Sequence, residues 1–152
     1  RMTDLQASLG SAQMDRADEI VLERQSLASA YDEAFASLKW LRVPCKATEY
    51  QHGYQSYPCL FMPEGVDLDA VEEINSMRNN WMDDLQKKGI STRPATHAVH
   101  MLIFYKEKYR LSPEDFPNAR AADKCSISLP LFHGMKKSEQ DFVIEKVLEF
   151  KF

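Results

Sequence analysis

The sequence contains few cysteines, few glycines and no long apolar run. Three cysteines and five glycines stand among its 152 residues, and no apolar stretch approaches the ~20 residues that a membrane-spanning helix requires. Because the cysteines are odd in number and unrelated in spacing, they do not indicate the disulfide framework of a secreted protein. The sequence therefore predicts a cytoplasmic protein that does not cross a membrane, in which Cys45, Cys59 and Cys125 are buried free thiols.

The chain also lacks an excess of either charge. Nineteen lysines and arginines stand against 23 aspartates and glutamates, which gives a net charge of −4. No global basic field therefore attracts nucleic acid or an anionic membrane. A glycine-rich phosphate loop, a nucleophile elbow and paired carboxylates in an apolar setting are missing as well. The length and the 44% hydrophobic content are typical of one globular domain.

The beginning of the chain has the pattern of two helices. Thr3 and Gln6 have the spacing of a capping box, in which each side chain binds a backbone amide of the other residue. Acidic Asp15 and Asp18 begin a second, longer helix. The apolar stripes of the two helices are Leu5, Leu9 and Ala12, and then Ile20, Leu27, Tyr31, Ala34, Phe35 and Leu38. Residues 1–38 are therefore expected to form a helical lead-in.

After Pro44 short strands alternate with helices. Strands are predicted over Tyr57–Met62 and Cys125–Leu129. The first predicted helix is capped by Asp67 or Asp69, ends at Gly89 and has the core face Val71, Ile74, Trp81 and Leu85. Two shorter helices are predicted over Met101–Tyr109 and Ala119–Lys124. The last helix is predicted to be capped by Ser138, with a core face of Phe142, Ile144, Val147 and Leu148. The fold class that follows is α/β or α+β, a small sheet covered by helices.

Gly89–His100, with the sequence GISTRPATHAVH, is the candidate binding segment. Pro94 keeps Arg93 in extended backbone, which presents a guanidinium suited to bidentate binding of phosphate or carboxylate. A surface arginine paired with Asp or Glu is the alternative. His97 and His100 are three residues apart, but no third ligand stands at a zinc-site spacing, so a core or capping histidine is favoured over a metal ligand. Nothing beside Cys59 or Cys125 indicates a catalytic thiol.

Several segments, in order along the chain, resemble the DegT/DnrJ/StrS family of pyridoxal-phosphate-dependent sugar aminotransferases. The first segment, RMTDLQASLGSAQMDRADEIVLERQSLASAYDEA, is similar to a helical stretch of the family. The matching positions there are Arg1, Leu5-Gln6-Ala7, Gly10, Gln13, Arg24 and Tyr31. The later matches are Arg78 with Leu85–Ile90, the Gly89–His100 loop, Phe116-Pro117, Ser128–Leu131 and Glu139–Ile144. Each motif is weak alone, but the ordered set is specific.

The resemblance implies the aspartate-aminotransferase (type I) fold, with a large cofactor domain and a smaller C-terminal domain, in a homodimer. Such enzymes bind pyridoxal phosphate (PLP) on a lysine and transfer an amino group from Glu or Gln to a nucleotide-linked keto-sugar. By this similarity Arg1 lies near the cofactor phosphate of the partner, and Arg93, His97 and His100 line the sugar-nucleotide pocket.

The chain also departs from the family pattern. The lysine of the Schiff base and the carboxylate that pairs with the pyridine nitrogen are not found, so no catalytic residue is assigned. We therefore expect a C-terminal fragment: 1–38 leads to a large domain outside this chain, and 39–152 is the small domain. Alone it is expected to be inactive, to bind no PLP and to self-associate. Two alternatives stay open, a non-catalytic domain that binds a ligand or partner, and a metal-binding module on His97 and His100.

Overall fold

The computed structural model describes residues 1–46, 48–63 and 70–151. The predicted caps Asp67 and Asp69 lie outside these residues. The described helices are α1 (Asp4–Met14), α2 (Ala17–Phe35), α3 (Val71–Lys87), α4 (Ile103–Tyr109), α5 (Pro117–Cys125) and α6 (Lys137–Leu148). Single 3-10 turns span Val99–Met101 and Pro113–Asp115. Within the described part of the chain, none of the helices has the length and apolarity needed to cross a membrane.

The predicted capping box at the beginning of α1 is confirmed. The Gln6 amide donates to Thr3 Oγ1 at 3.3 Å, and the Thr3 amide donates to Gln6 Oε1 at 3.0 Å. Its apolar stripe, however, is not covered by the described residues, because Leu5 is 84% and Leu9 65% exposed. Helix α1 is therefore stabilised by its cap and lies outside the core.

A three-stranded antiparallel sheet holds the fold together. Its strands are β1 (Leu41–Arg42), β2 (Tyr57–Phe61) and β3 (Ser126–Leu129), in the order β1-β2-β3. The register pairs Leu41 with Phe61, Tyr57 with Leu129 and Cys59 with Ile127, and all six are buried. The predicted small sheet covered by helices is confirmed.

Aromatic rings join this sheet to the helices. Trp81 of α3 stacks on Phe61 with ring centroids 5.5 Å apart and meets Trp40 edge-on at 5.2 Å. On α2, Tyr31 packs between Phe35 and Tyr57 at 5.5 and 5.0 Å. The core face predicted for α3 is confirmed, because Val71, Ile74, Trp81 and Leu85 are all buried.

The prediction for the last helix was wrong in its cap and right for only part of its core face, since Val147 is buried and Ile144 packs against the core. Helix α6 begins at Lys137, so Ser138 lies inside it, and Glu139 accepts the Lys136 amide at 2.8 Å instead. The buried residues are Gln140, Val143 and Val147, whereas Phe142 and Leu148 are 41% and 47% exposed. Val143 and Val147 bury their side chains on this face, and Gln140 on the same face donates from Nε2 to the Leu27 carbonyl of α2 at 2.7 Å.

The helix predicted over Met101–Tyr109 also differs from the structure. Leu102 has extended backbone angles, φ −68° and ψ 134°, and separates the 3-10 turn from α4. Helix α4 buries no residue, and Ile103 and Phe104 are 76% and 62% exposed. Most of the stability of a short helix comes from packing against the core. Because α4 has no such packing, nothing stabilises an extension of the helix back to Met101.

Candidate functional site

The Gly89–His100 segment leaves α3 through a left-handed glycine and then joins the sheet. Gly89 has φ +84°, as its predicted role at the end of the helix requires. Arg93 then pairs with β3: the Ser128 amide donates to the Arg93 carbonyl at 2.7 Å, and the Arg93 amide donates back at 3.4 Å. The extended conformation predicted before Pro94 is confirmed. The segment is thus fixed by its backbone, which leaves the Arg93 side chain to point away from the pairing.

Arg93 is exposed, and its guanidinium has no hydrogen-bond or ion-pair partner among the residues that the structure describes. The surface ion pair that the sequence left open is therefore not found among them. An unpaired guanidinium on a backbone held by the sheet can bind a phosphate or carboxylate without first breaking an internal contact.

The two histidines of the segment lie at one pocket but in different environments. The His97 side chain is 77% exposed, and its Nδ1 lies 3.5 Å from Asp123 Oδ1. His100 is only 6% exposed and packs against the Phe116 ring at 5.1 Å. Its Nε2 is buried and has no hydrogen-bond partner in the described structure. A buried imidazole nitrogen without a partner is unfavourable. Because solvent does not reach this nitrogen, a ligand can supply the missing partner only if the lining of the pocket shifts.

The pocket itself is apolar and measures about 400 Å³. Besides the histidines it is lined by Ala98, Val99, Tyr105, Leu111, Phe116 and Ala119. Tyr105, Leu111 and Ala119 were not predicted as site residues. The spacing of residues within a helix does not show which other segment of the chain that helix will contact. Arg93 is not part of this lining, so the structure brings His97 and His100 together and places Arg93 elsewhere on the same segment.

Arg1 stands exposed before α1, a helix without buried residues. PLP needs a lysine for its Schiff base and an enclosed, water-free surrounding. Because Arg1 is exposed and the helix beside it buries no residue, Arg1 alone does not form the enclosed site that PLP needs. For metals, no group of three or more His, Cys, Asp or Glu side chains converges within the described residues.

The environments of the cysteines correct one prediction. Cys59 and Cys125 are buried as expected, but Cys45 is exposed, because it follows Pro44 in a segment outside the sheet. Burial raises the pKa of the Cys59 thiol, and the Asp32 carboxylate raises it further. Burial also raises the pKa of Cys125, although the Arg78 guanidinium opposes that shift. Neither buried thiol is a nucleophile at neutral pH.

A thiol-labelling experiment tests these environments. At about pH 8 we expect Ellman's reagent to modify Cys45 quickly in the folded protein and to leave Cys59 and Cys125 unmodified, because thiolates react and thiols do not. In denaturant all three should react. Cys45→Ser is the matched variant and should abolish the fast phase. A fast phase that survives this substitution would place a reactive thiolate at a buried position.

A sequence comparison identifies the protein family. A profile of the DegT/DnrJ/EryC1/StrS aminotransferase family matches residues 1–148. The chain belongs to this family. The resemblance found from the sequence motifs is thereby confirmed over nearly the whole chain.

Individual proteins are similar to the chain along nearly its whole length. An uncharacterized protein of Methanocaldococcus jannaschii is 32% identical over 146 residues, which are 96% of this chain and 36% of that protein. GDP-perosamine synthase of Escherichia coli O157:H7 is 28% identical over 150 residues, 99% of this chain and 36% of the enzyme. The chain thus spans about a third of the length of these relatives.

A solved structure of the family confirms the predicted fold. Spr1654 of Streptococcus pneumoniae, assigned as a sugar aminotransferase, is known in apo, PMP and PLP forms. Its PLP form superposes with a TM-score of 0.79 and 27% identity, over 95% of this chain and 34% of that one. The helix-covered antiparallel sheet is therefore that of the C-terminal domain of PLP-dependent sugar aminotransferases of the type I fold.

Proposed function

We propose that the chain is the C-terminal part of a PLP-dependent enzyme that transfers an amino group from Glu or Gln to a nucleotide-linked keto-sugar. Membership of the family and the similarity to GDP-perosamine synthase support this proposal. The observation that carries it is the presence on one segment of an exposed guanidinium without a protein partner, that of Arg93, and of a buried nitrogen without a hydrogen-bond partner, His100 Nε2. A nucleotide-sugar offers a diphosphate to the first and hydroxyl groups to the second.

The proposed roles follow from the two environments. Arg93 binds the diphosphate with two parallel N–H donors, which position the nucleotide. The imidazole of His100 forms one hydrogen bond to the sugar once the pocket lining shifts to expose its Nε2, since this nitrogen has no partner among the described residues. His97 is a polar neighbour at the rim, since its side chain is exposed and lies near Asp123.

The cofactor belongs to the whole protein in this proposal. Bound PLP supplies the electron sink that makes proton abstraction feasible. This chain contributes Arg1, which we propose lies near the cofactor phosphate, and it contributes no catalytic group. The chain alone is accordingly proposed to bind nucleotide and to be inactive in amino transfer. In the cell the whole protein would act in the cytoplasm as a homodimer.

Ligand titration tests the proposal. Calorimetric titration of the chain with GDP should give measurable binding with one site, whereas titration with PLP should give none, because only the nucleotide side of the site is present. The alternative, a domain that binds another ligand without chemistry, predicts no binding of GDP. Borohydride reduces a Schiff base between PLP and a lysine. If the chain bound one equivalent of PLP in such a reducible form, the cofactor lysine would lie in this chain and the proposal would be wrong.

The uncovered face of α1 leads to a second expectation. Leu5 and Leu9 are exposed, and such apolar patches drive association. We expect the wild-type chain to show a concentration-dependent mass above that of a monomer in size-exclusion light scattering. Leu5→Glu with Leu9→Glu should reduce that mass to a monomer, while Leu148→Glu on α6 should leave it unchanged. A wild-type monomer at high concentration is the contrary result.

A further inference from the structure

Arg78 is an unexpected residue on the core face of α3. It is 3% exposed and stands in the same buried stripe as Val71, Ile74, Trp81 and Leu85, all of them apolar. Burial lowers the pKa of Arg78, and Cys125 and Asp123 nearby oppose the shift. A buried guanidinium is unfavourable unless its charge and N–H groups are paired. Here NH1 has a carbonyl partner, whereas Nε has none among the described residues.

The guanidinium binds the end of another helix. Arg78 NH1 donates to the Ser126 carbonyl at 3.1 Å, and Asn75, one turn earlier on α3, donates to the Lys124 carbonyl at 2.7 Å. Both carbonyls lie at the junction between α5 and β3, where the helix leaves carbonyl groups without intrahelical partners and its dipole is negative. Two side chains of α3 therefore fix the position of the α5 end.

The same junction holds the candidate binding segment. Ser126 is 6% exposed, and its Oγ accepts the Ala95 amide at 3.2 Å. Helix α5 supplies further contacts to the segment, since Asp123 meets His97 at 3.5 Å and Ala119 lines the His100 pocket. The contacts thus run from Arg78 through the α5 end and Ser126 to the backbone between Arg93 and His97.

We propose that Arg78 is a positioning residue for the segment that carries Arg93, His97 and His100, and that it acts through Ser126. This inference rests on the proposed function, because it assigns ligand binding to that segment. Arg78 itself does not touch the ligand. Its guanidinium orients Ser126 through the Ser126 carbonyl. The Ser126 hydroxyl group then binds the Ala95 amide, and this bond sets the distance between Arg93 and the His100 pocket.

Amide hydrogen exchange tests the link at single residues. In Ser126→Ala the Ala95 amide loses its acceptor and should exchange about tenfold faster. Arg78→Met keeps an apolar stem and should also accelerate exchange at Ala95, while Arg78→Lys, which can still donate to the Ser126 carbonyl, should restore most of the protection. Ser76→Ala, a change on the exposed face of α3, is the matched control and should leave Ala95 unaffected.

The exchange rate of the Val147 amide in α6 shows whether a variant loosens only the segment or destabilises the whole fold. If Arg78 positions the segment, Ala95 responds and Val147 keeps its wild-type rate. Equal acceleration of both amides, or no acceleration at Ala95 in Ser126→Ala, overturns the proposal.

Titration of the same variants with GDP keeps the two proposals apart. We expect Ser126→Ala and Arg78→Met to weaken GDP binding several-fold and Arg78→Lys to recover it. If the wild-type chain binds no GDP while exchange at Ala95 still responds, the proposed function fails and the link from Arg78 to Ala95 stands. If GDP binds equally to all variants, Arg78 is not a positioning residue for the ligand.

Discussion

Replacing Trp81 with alanine is expected to lower the free energy of unfolding by about 3–5 kcal/mol. The indole is 2% exposed and contacts Trp40 and Phe61, so its loss leaves a cavity between α3 and the sheet. Such a decrease is a large part of the total stability of a domain of this size. Urea unfolding followed by circular dichroism measures it as a lower midpoint.

Phe104→Ala is the matched control for Trp81. Phe104 is a large aromatic residue too, but it is 62% exposed on α4, and its removal should change the free energy of unfolding by less than about 1 kcal/mol. A similar decrease for both variants would mean that Trp81 does not lie in a packed core. A change in the slope of the unfolding curve for Trp81→Ala would show that cooperativity is lost as well.

Arg93→Ala is expected to weaken GDP binding by about 10- to 100-fold. A hydrogen bond to a charged group contributes about 1.5–3 kcal/mol, and each 1.4 kcal/mol corresponds to about tenfold in affinity. The guanidinium has no partner among the described residues, so its removal takes away the proposed ligand contact without leaving a protein group unpaired. The fold should be unaffected, because only the backbone of Arg93 pairs with Ser128.

Two variants sharpen this measurement. Arg93→Lys keeps the charge but not the planar fork and should recover part of the affinity. Arg16→Ala removes another exposed arginine, which precedes α2 and lies outside the Gly89–His100 segment, and should bind GDP as the wild type does. Equal weakening in Arg16→Ala and Arg93→Ala would indicate a diffuse charge effect.

Much of the fold was predictable because its signals are local. The capping box of Thr3 and Gln6 lies within one helical turn, and the end of α3 at Gly89 depends on the freedom of one residue to adopt a positive φ. The buried stripe of α3 follows from periodicity alone, since apolar residues repeat at the spacing of a helix. These features need no knowledge of distant parts of the chain.

The prediction for α6 shows where this approach stops. Its apolar residues occupy more than one face, so periodicity did not select the face that packs. In the structure Val143 and Val147 face the core, and the Gln140 side chain on the same face binds the Leu27 carbonyl 113 residues earlier in the chain. Arg78 was missed as a buried residue for a related reason, because its carbonyl partner, Ser126, lies 48 residues away.

The candidate site divides in the same way. The sequence by itself determined the family motifs, the extended backbone before Pro94 and the close spacing of Arg93, His97 and His100, because these depend on residue types and short-range geometry. Only the tertiary structure decided that His100 is buried against Phe116 while His97 stays exposed near Asp123. The physical reason is that burial and hydrogen-bond partners depend on contacts between distant segments. Here the contacts form where α5 packs against the Gly89–His100 segment.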